Sequence, residues 1–148
     1  IITIEDTEEL KIVVPNRIRL LSNKSQGVTA QLLVELCMRM RPDRIIAGEV
    51  RGAEALDFVE ALNTGHDGGF ASLHARNALM TLARLESLAK RGIKSSDGAM
   101  TLREDIANCI EYVVHFRKSS ASSTRFCGEI IKVDGLDMSG KYVTRKVF

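Results

Sequence analysis

The chain has 148 residues, of which 45% are hydrophobic and 27% charged, and its formal net charge at pH 7 is +2. That length fits one domain of about 100–200 residues with its own core, and the composition is ordinary for a globular protein and excludes disorder as the overall class. The mean hydropathy is −0.02, no apolar run approaches the roughly 18–20 residues that span a bilayer, and the charge is too mild to argue for nucleic acid by itself.

Ile1 to Glu5 reads as a short buried strand running into an acidic cluster, Glu5-Asp6-Thr7-Glu8-Glu9. A chain that opens inside a strand, without methionine, is expected to be a piece of something longer. Residues 15–28 are punctuated by Pro15, Asn16, Ser22, Asn23, Ser25 and Gly27 and read as loop. Thr29 is expected to cap a helix with an apolar stripe of Leu32, Leu33, Leu36, Cys37 and Met40, which Pro42 stops. Arg44-Ile45-Ile46-Ala47-Gly48 is an apolar run ending abruptly at Glu49, as a buried parallel strand would.

A second helix is predicted over Ala53–Leu62, with Leu56, Val59 and Leu62 at helical spacing, and Gly65 and Gly68-Gly69 break the chain after it. Phe70 to His74 reads as another strand. Asn77 is placed to cap a third helix bearing Leu79, Leu82, Leu85, Leu88 and Ala89, ended by Gly92. Thr101-x-x-Glu104 has the spacing of a capping box, opening a helix with Leu102, Ile106 and Cys109 inward. The tail then reads as strands at Tyr112–Phe116, Arg125–Val133 and Lys141–Val147, joined by turns at residues 119–124 and 134–140. Alternating strands and helices over about 110 residues argue for an α/β parallel sheet, with the β-rich tail expected to extend it. Cys37, Cys109 and Cys127 are odd in number, widely spaced and set in apolar stretches, so buried reduced thiols are expected.

Three polar clusters fall at the C-terminal ends of predicted strands: Glu5-Asp6, then Glu49 with Arg51, then Ser72 to His74. Ligands of open α/β sheets bind outside the carboxyl ends of the strands, so these clusters outline a site. Taken singly, each acid is equally a helix cap or a solvated loop residue. Glu49, emerging directly from a buried strand, is suited to orient water on a magnesium ion or to polarise an attacking water.

Together, Ile4-Glu5-Asp6-Thr7-x-Glu9-Leu10, Met40 to Gly52 with Glu54-Ala55, Asn63-Thr64-Gly65-His66-Asp67-Gly68 and Ser72-Leu73-His74-Ala75 closely resemble, in order and spacing, the ATPases of type II and type IV secretion, pilus assembly and conjugation. The first segment, within residues 1–10, resembles that family's Asp box; residues 44–52 resemble its Walker B segment; residues 63–75 resemble its His box; residues 110–148 form a β-rich tail with no family motif. The arginine-rich stretch before Glu49 and Arg84-Leu85-Glu86 look most like the conjugal-transfer, TrbB-like branch.

The resemblance implies a partial RecA-like P-loop NTPase core, forming part of a C-terminal ATPase domain. It implies contiguous strands near residues 1–5, 45–48 and 70–74, with the strand near Val113 lying beyond a missing one. ATP and magnesium follow as cofactors. Glu49 takes the role of the Walker B acid, holding the magnesium shell through water and activating the hydrolytic water. Glu5 and Asp6 match the Asp-box acids near the magnesium, and His74 matches the histidine that senses the γ-phosphate. Arg51 would bridge the acids or reach a phosphate. His66 in its glycine-rich turn and His115 on the late strand read as structural.

The phosphate-cradling G-x-x-x-x-G-K-[ST] has no match, since the nearest candidate, Gly140-Lys141, is followed by Tyr142. The chain by itself is therefore expected to bind ATP weakly or not at all. The resemblance further implies a motor working as a homo-oligomer, a hexamer, on the cytoplasmic face of the inner membrane with other secretion-machinery components, compatible with peripheral membrane association. A non-catalytic assembly module derived from the family is the alternative. A metal hydrolase is a poor third reading, because one usable histidine is fewer than such sites recruit. Direct DNA binding is not expected, with 5% aromatic residues and no tryptophan for stacking. Arg39, Arg41, Arg44 and Arg51 cluster in sequence, as do Arg117 and Lys118, and the arginines read first as subunit contacts and second as phosphate or DNA contacts.

Overall fold

A computed structural model of the chain describes residues 1–93 and 98–148. The elements in chain order are β1 (Ile2–Glu5), β2 (Ile18–Leu21), α1 (Ala30–Arg39), β3 (Ile45–Ala47), α2 (Glu54–Asn63), β4 (Phe70–Ala71), α3 (Ala78–Ala89), α4 (Gly98–Cys109), β5 (Tyr112–Lys118), β6 (Arg125–Leu136) and β7 (Tyr142–Lys146).

The first four strands form one sheet in the order β2-β1-β3-β4, and every pairing in it is parallel. β1 lies inside this sheet and all four of its residues are buried, the polar Thr3 and Glu5 included. Ile2 stands opposite Ile18 on one side and Ile45 on the other, so the three strands end level with one another. The strands carrying the three polar clusters, β1, β3 and β4, are contiguous, as the resemblance implied.

The expectation of loop throughout residues 15–28 is corrected by β2. Ile18 to Leu21 is short, mostly exposed and flanked by turn residues, so its strand character comes from pairing with β1 and not from a local pattern.

Helix ends follow local chemistry. The Thr29 hydroxyl accepts the Leu32 N–H at 3.1 Å, and Asn77 Oδ1 accepts the Met80 N–H at 2.8 Å, each satisfying a first-turn donor that the helix leaves free. α1 ends before Pro42 through Arg41, which takes a left-handed φ of 51°, a conformation costing about 1–2 kcal/mol for a residue with a Cβ. The stripe expected on α1 is half right: Leu33, Val34 and Cys37 are buried, whereas Leu32, Leu36 and Met40 are exposed. Likewise α3 buries Leu82, Leu85, Leu88 and Ala89 but leaves Leu79 exposed. β4 is shorter than the expected Phe70–His74, covering two residues.

α4 begins at Gly98, so Thr101 lies inside the helix and does not cap it, while Leu102 and Ile106 are buried as expected. The tail forms a meander, β5-β6-β7, entirely antiparallel. It is a second sheet, which corrects the expected extension of the first. β6 also runs on through the expected turn to Leu136, with a bulge between Val133 and Gly135. α3 and α4 pack against this second sheet, and α2 packs against α1, α3 and α4. One apolar core runs from Ile2, Ile4 and Ile45 through Phe58, Leu82 and Ile106 to Val113, Ile131 and Val133.

A partly buried ion pair ties the second sheet down. Arg103 of α4 donates to both carboxylate oxygens of Glu86 on α3 at 2.9 Å and to the Gly140 carbonyl, just before β7, at 3.0 Å. Lys90 adds a 2.7 Å contact to Glu86. These cations hold the Glu86 carboxyl below its ordinary range, Arg103 foremost. The Arg103 guanidinium also lies 5.9 Å from the Tyr142 ring centre, within cation–π range.

Candidate functional site

Because β1, β3 and β4 are parallel neighbours in level register, their C-terminal ends open on one side of the sheet. Hydrogen bonds continue past the strands there. Gly48 N–H donates to the Ile4 carbonyl at 2.8 Å, Val50 N–H donates to the Ser72 carbonyl at 2.8 Å, and the Ser72 hydroxyl donates to the Gly48 carbonyl at 2.5 Å. Glu49 is therefore held between two stitched flanks.

The turn after Glu49 is fixed from the far side. Glu54, the first residue of α2, accepts the N–H groups of both Arg51 and Gly52 on Oε1, each at 2.7 Å. Two N–H groups on one carboxylate oxygen form a charge-assisted clamp.

Four of the five anticipated site residues meet. Arg51 contacts Glu49 Oε2 at 2.5 Å through Nη2 and reaches to 3.8 Å from Asp6 Oδ2 through Nη1, so it bridges two strand ends. His74 Nε2 stands 3.3 Å from the other oxygen of Glu49, an ion pair whenever the imidazole is protonated. Asp6 is further held by the Ser22 hydroxyl at 2.5 Å and by Lys24 at 3.7 Å. The Arg51 hydrogen bond, chiefly, keeps the Glu49 carboxyl below its usual range, and the Ser22 hydrogen bond does the same for Asp6. Both carboxylates are ionised at neutral pH.

Glu5 is the exception. It is 5% exposed, and its Oε1 accepts the N–H groups of Glu9 and Leu10, each at 2.9 Å. It anchors the acidic loop from below. Its Oε2 is buried without a hydrogen-bond partner. Glu5, Asp6, Glu49 and Glu54 help line a small, partly open cavity of about 10 Å³, close to the space of one water-sized probe.

Magnesium takes hard oxygen donors in near-octahedral geometry and keeps several waters. Ionised Glu49 and Asp6 at one rim, with the unpartnered Oε2 of Glu5 beneath, supply that donor chemistry. Among the described residues no cluster of three or more His, Cys, Asp or Glu side chains converges tightly enough to chelate a metal directly. The donor set fits an ion held largely through water.

Beside the Glu49 face lies an open cleft of about 380 Å³ lined by Glu49, Val50, Arg51, His74 and Arg84. Arg84, Glu54, Ser22 and Ser72 are positions to which the motif reading attached no role, although Glu54, three residues after Arg51, has the spacing of a local backbone cap. His66 is structural in its setting, with Nδ1 3.0 Å from the Ala61 carbonyl. His115 pairs in register with Glu129 on the second sheet, away from this cleft.

The profile of the type II/IV secretion system protein family matches residues 1–125, and the chain belongs to that family. It is 34% identical over 135 residues to the conjugal transfer protein TrbB of Rhizobium radiobacter, covering 91% of this chain and 39% of the relative. To the VirB11 protein of Agrobacterium fabrum it is 38% identical over 125 residues, covering 79% of this chain and 36% of the relative. Among solved structures, the VirB11 ATPase of the Brucella suis type IV secretion system, crystallised with sulphate, superposes with a TM-score of 0.75 at 32% identity, over 87% of this chain and 38% of that one. The fold is thus a RecA-like P-loop NTPase core, present in part and followed by a β-rich extension. The chain spans less than two-fifths of the length of each of these three relatives.

Proposed function

We propose that the chain is part of the C-terminal ATPase domain of a motor subunit, and that it contributes the magnesium-and-water side of the hydrolytic site. The observation carrying this reading is Glu49, which leaves a buried strand with Arg51 on one carboxylate oxygen and His74 near the other. Glu49 would hold the magnesium shell through water and activate the attacking water. Asp6, held by Ser22, would support the same shell, and Arg51 would bridge the two carboxylates. His74, 92% exposed in its side chain, is free to donate a hydrogen bond to a γ-phosphate and to respond when that charge departs. Magnesium, when bound, supplies charge neutralisation for phosphoryl transfer. Glu5 would act by positioning the loop that bears Asp6, a narrower part than its motif implies.

The parent protein would hydrolyse ATP to power substrate transfer or pilus assembly in a type IV secretion, conjugation or related system. It would work as a homo-hexamer on the cytoplasmic face of the inner membrane, alongside other machinery components. Among the described residues no helix is long and apolar enough to cross a membrane. A non-catalytic assembly module derived from the family is the second reading. On either reading the chain by itself binds ATP weakly or not at all.

The test is ATP turnover by the full-length protein containing this chain, beside its Glu49→Gln variant. The motor reading expects turnover to fall at least about a hundredfold in the variant, the scale for removing a key charge from a preorganised site. No turnover from a folded and assembled parent would favour the assembly module, whereas equal turnover in both proteins would remove Glu49 from the hydrolytic role.

A further inference from the structure

We propose that Arg84 contacts the terminal phosphoryl group of the nucleotide, and the phosphate it becomes, in the open cleft beside Glu49. The inference rests on the ATPase reading above and adds a residue to which that reading gives no role.

The argument starts from charge pairing around the cleft. Its ionisable walls are Glu49, Arg51, His74 and Arg84. Glu49 already has Arg51 on one oxygen and His74 near the other. Arg51 is further drawn toward Asp6. Arg84 is exposed, and among the described residues it forms neither an ion pair nor a side-chain hydrogen bond. Once the other three are matched, one positive charge remains on the cleft wall without a counter-ion.

Its chemistry suits a phosphoryl oxyanion. A guanidinium is always charged, sheds water more readily than an ammonium, and presents paired N–H donors that match two phosphate oxygens. Its setting is rigid where it needs to be. α3 starts four residues after His74, and its first turn is anchored by Asn77 and by Glu129 of β6, whose Oε2 accepts the Ala78 N–H at 3.2 Å. Leu82 and Leu85 are buried on either side of Arg84 in sequence. The backbone of Arg84 is therefore fixed while its long side chain stays free to close on a ligand. Because Asn77 and Glu129 already occupy N–H groups at the start of α3, the cationic group α3 offers the cleft is this side chain.

The experiment uses the full-length protein with Arg84→Ala and Arg84→Lys, beside Glu49→Gln. Two quantities are read: KM and kcat for magnesium-ATP, and the inhibition constant of added inorganic phosphate. Line broadening of the inorganic phosphate ³¹P resonance, without nucleotide, gives a readout independent of turnover. Loss of a charge-assisted contact is expected to weaken phosphate inhibition about ten- to a hundredfold in Arg84→Ala, to raise KM in parallel, and to reduce the line broadening. Lysine should recover part of each effect, since it keeps the charge and loses the paired geometry. An exposed arginine without partners can be removed without unfolding, so the thermal midpoint should be unchanged. If Glu49→Gln abolishes turnover while Arg84→Ala leaves the phosphate constant, KM and line broadening as they were, the role of Arg84 is overturned and the ATPase reading stands. If the folded and assembled parent shows no turnover, both fall together.

Discussion

Gly48 lies so close to Glu5 that a Cβ placed on it would stand 2.9 Å from Glu5 Cγ and 3.4 Å from the Ile4 carbonyl oxygen. The two strand ends are in van der Waals contact here, and the Glu5 side chain occupies the space a larger residue at 48 would need. Gly48→Ala must push Glu5 aside and loosen its bonds to Glu9 and Leu10. Overpacking of this kind costs about 1–3 kcal/mol. Urea unfolding should show the midpoint falling while the slope stays constant. An unchanged midpoint would mean that Glu5 gives way freely and does not anchor the acidic loop.

Glu54 offers a second, separable test. Glu54→Ala removes the acceptor of the Arg51 and Gly52 N–H groups and should cost about 1–2 kcal/mol, in the range of a lost cap or charge-assisted bond. The specific readout is amide hydrogen exchange. Exchange at Arg51 and Gly52 should quicken in the variant far more than at Ile45 or Ile46 of β3. Uniform quickening across the domain would point to general destabilisation instead of a clamp on this turn.

Acid should weaken the Glu86–Arg103 lock in a defined direction. The folded carboxyl sits below its ordinary value of 4.5, so the unfolded chain takes up the proton first as pH falls. The stabilisation is fully present above about pH 4.5 and drains away as pH drops through the folded value. Glu86 is 7% exposed, but Arg103 is 43% exposed in its side chain, so water discounts the pair. Glu86→Gln should cost about 1–3 kcal/mol at pH 7. Its stability should also vary less than that of the parent below pH 4.5. Parallel pH profiles for the two proteins would rule out the pair as the source of the acid sensitivity.

The three cysteines should separate under alkylation. Burial pushes the Cys37 thiol up to about 11 and the Cys109 thiol up to about 12, and thiolate is the reactive form. Cys37 is fully buried, whereas Cys127 is partly exposed on β6. Iodoacetamide at pH 8 followed by peptide mass spectrometry should modify Cys127 first and spare Cys37 until the chain unfolds. Early labelling of Cys37 would mean that α1 lifts from the core in the native state.

What the sequence made legible follows the range of the interactions involved. Thr29 and Asn77 were recognisable as caps because a cap bonds three residues ahead. β3 was recognisable because a strand buried on both faces carries an apolar run, and β1 because three isoleucines crowd the stretch that leads to its acidic end. β2 was not, since Ile18 and Leu21 are exposed and become strand only by pairing with residues 16 positions earlier. Membership of the tail in a second sheet was equally hidden, because local alternation marks a strand without naming its neighbour. At the site, the meeting of Glu49, His74 and Asp6 could be anticipated from strand ends in a parallel sheet. The division of labour between Glu5 and Asp6 could not. Two adjacent acids look alike in sequence, but one turns under the loop to bind its backbone and the other turns outward to Ser22 and Arg51.

Arg84 and Glu86 stand two positions apart on α3, with Leu85 between them, and side chains so spaced point to nearly opposite sides of a helix. One lines the cleft. The other is gripped by Arg103, which also holds the Gly140 carbonyl beside β7. α3 thus joins the two halves of the chain: one side chain of a single helix faces the nucleotide-side cleft while its near neighbour is tied through Arg103 to the second sheet.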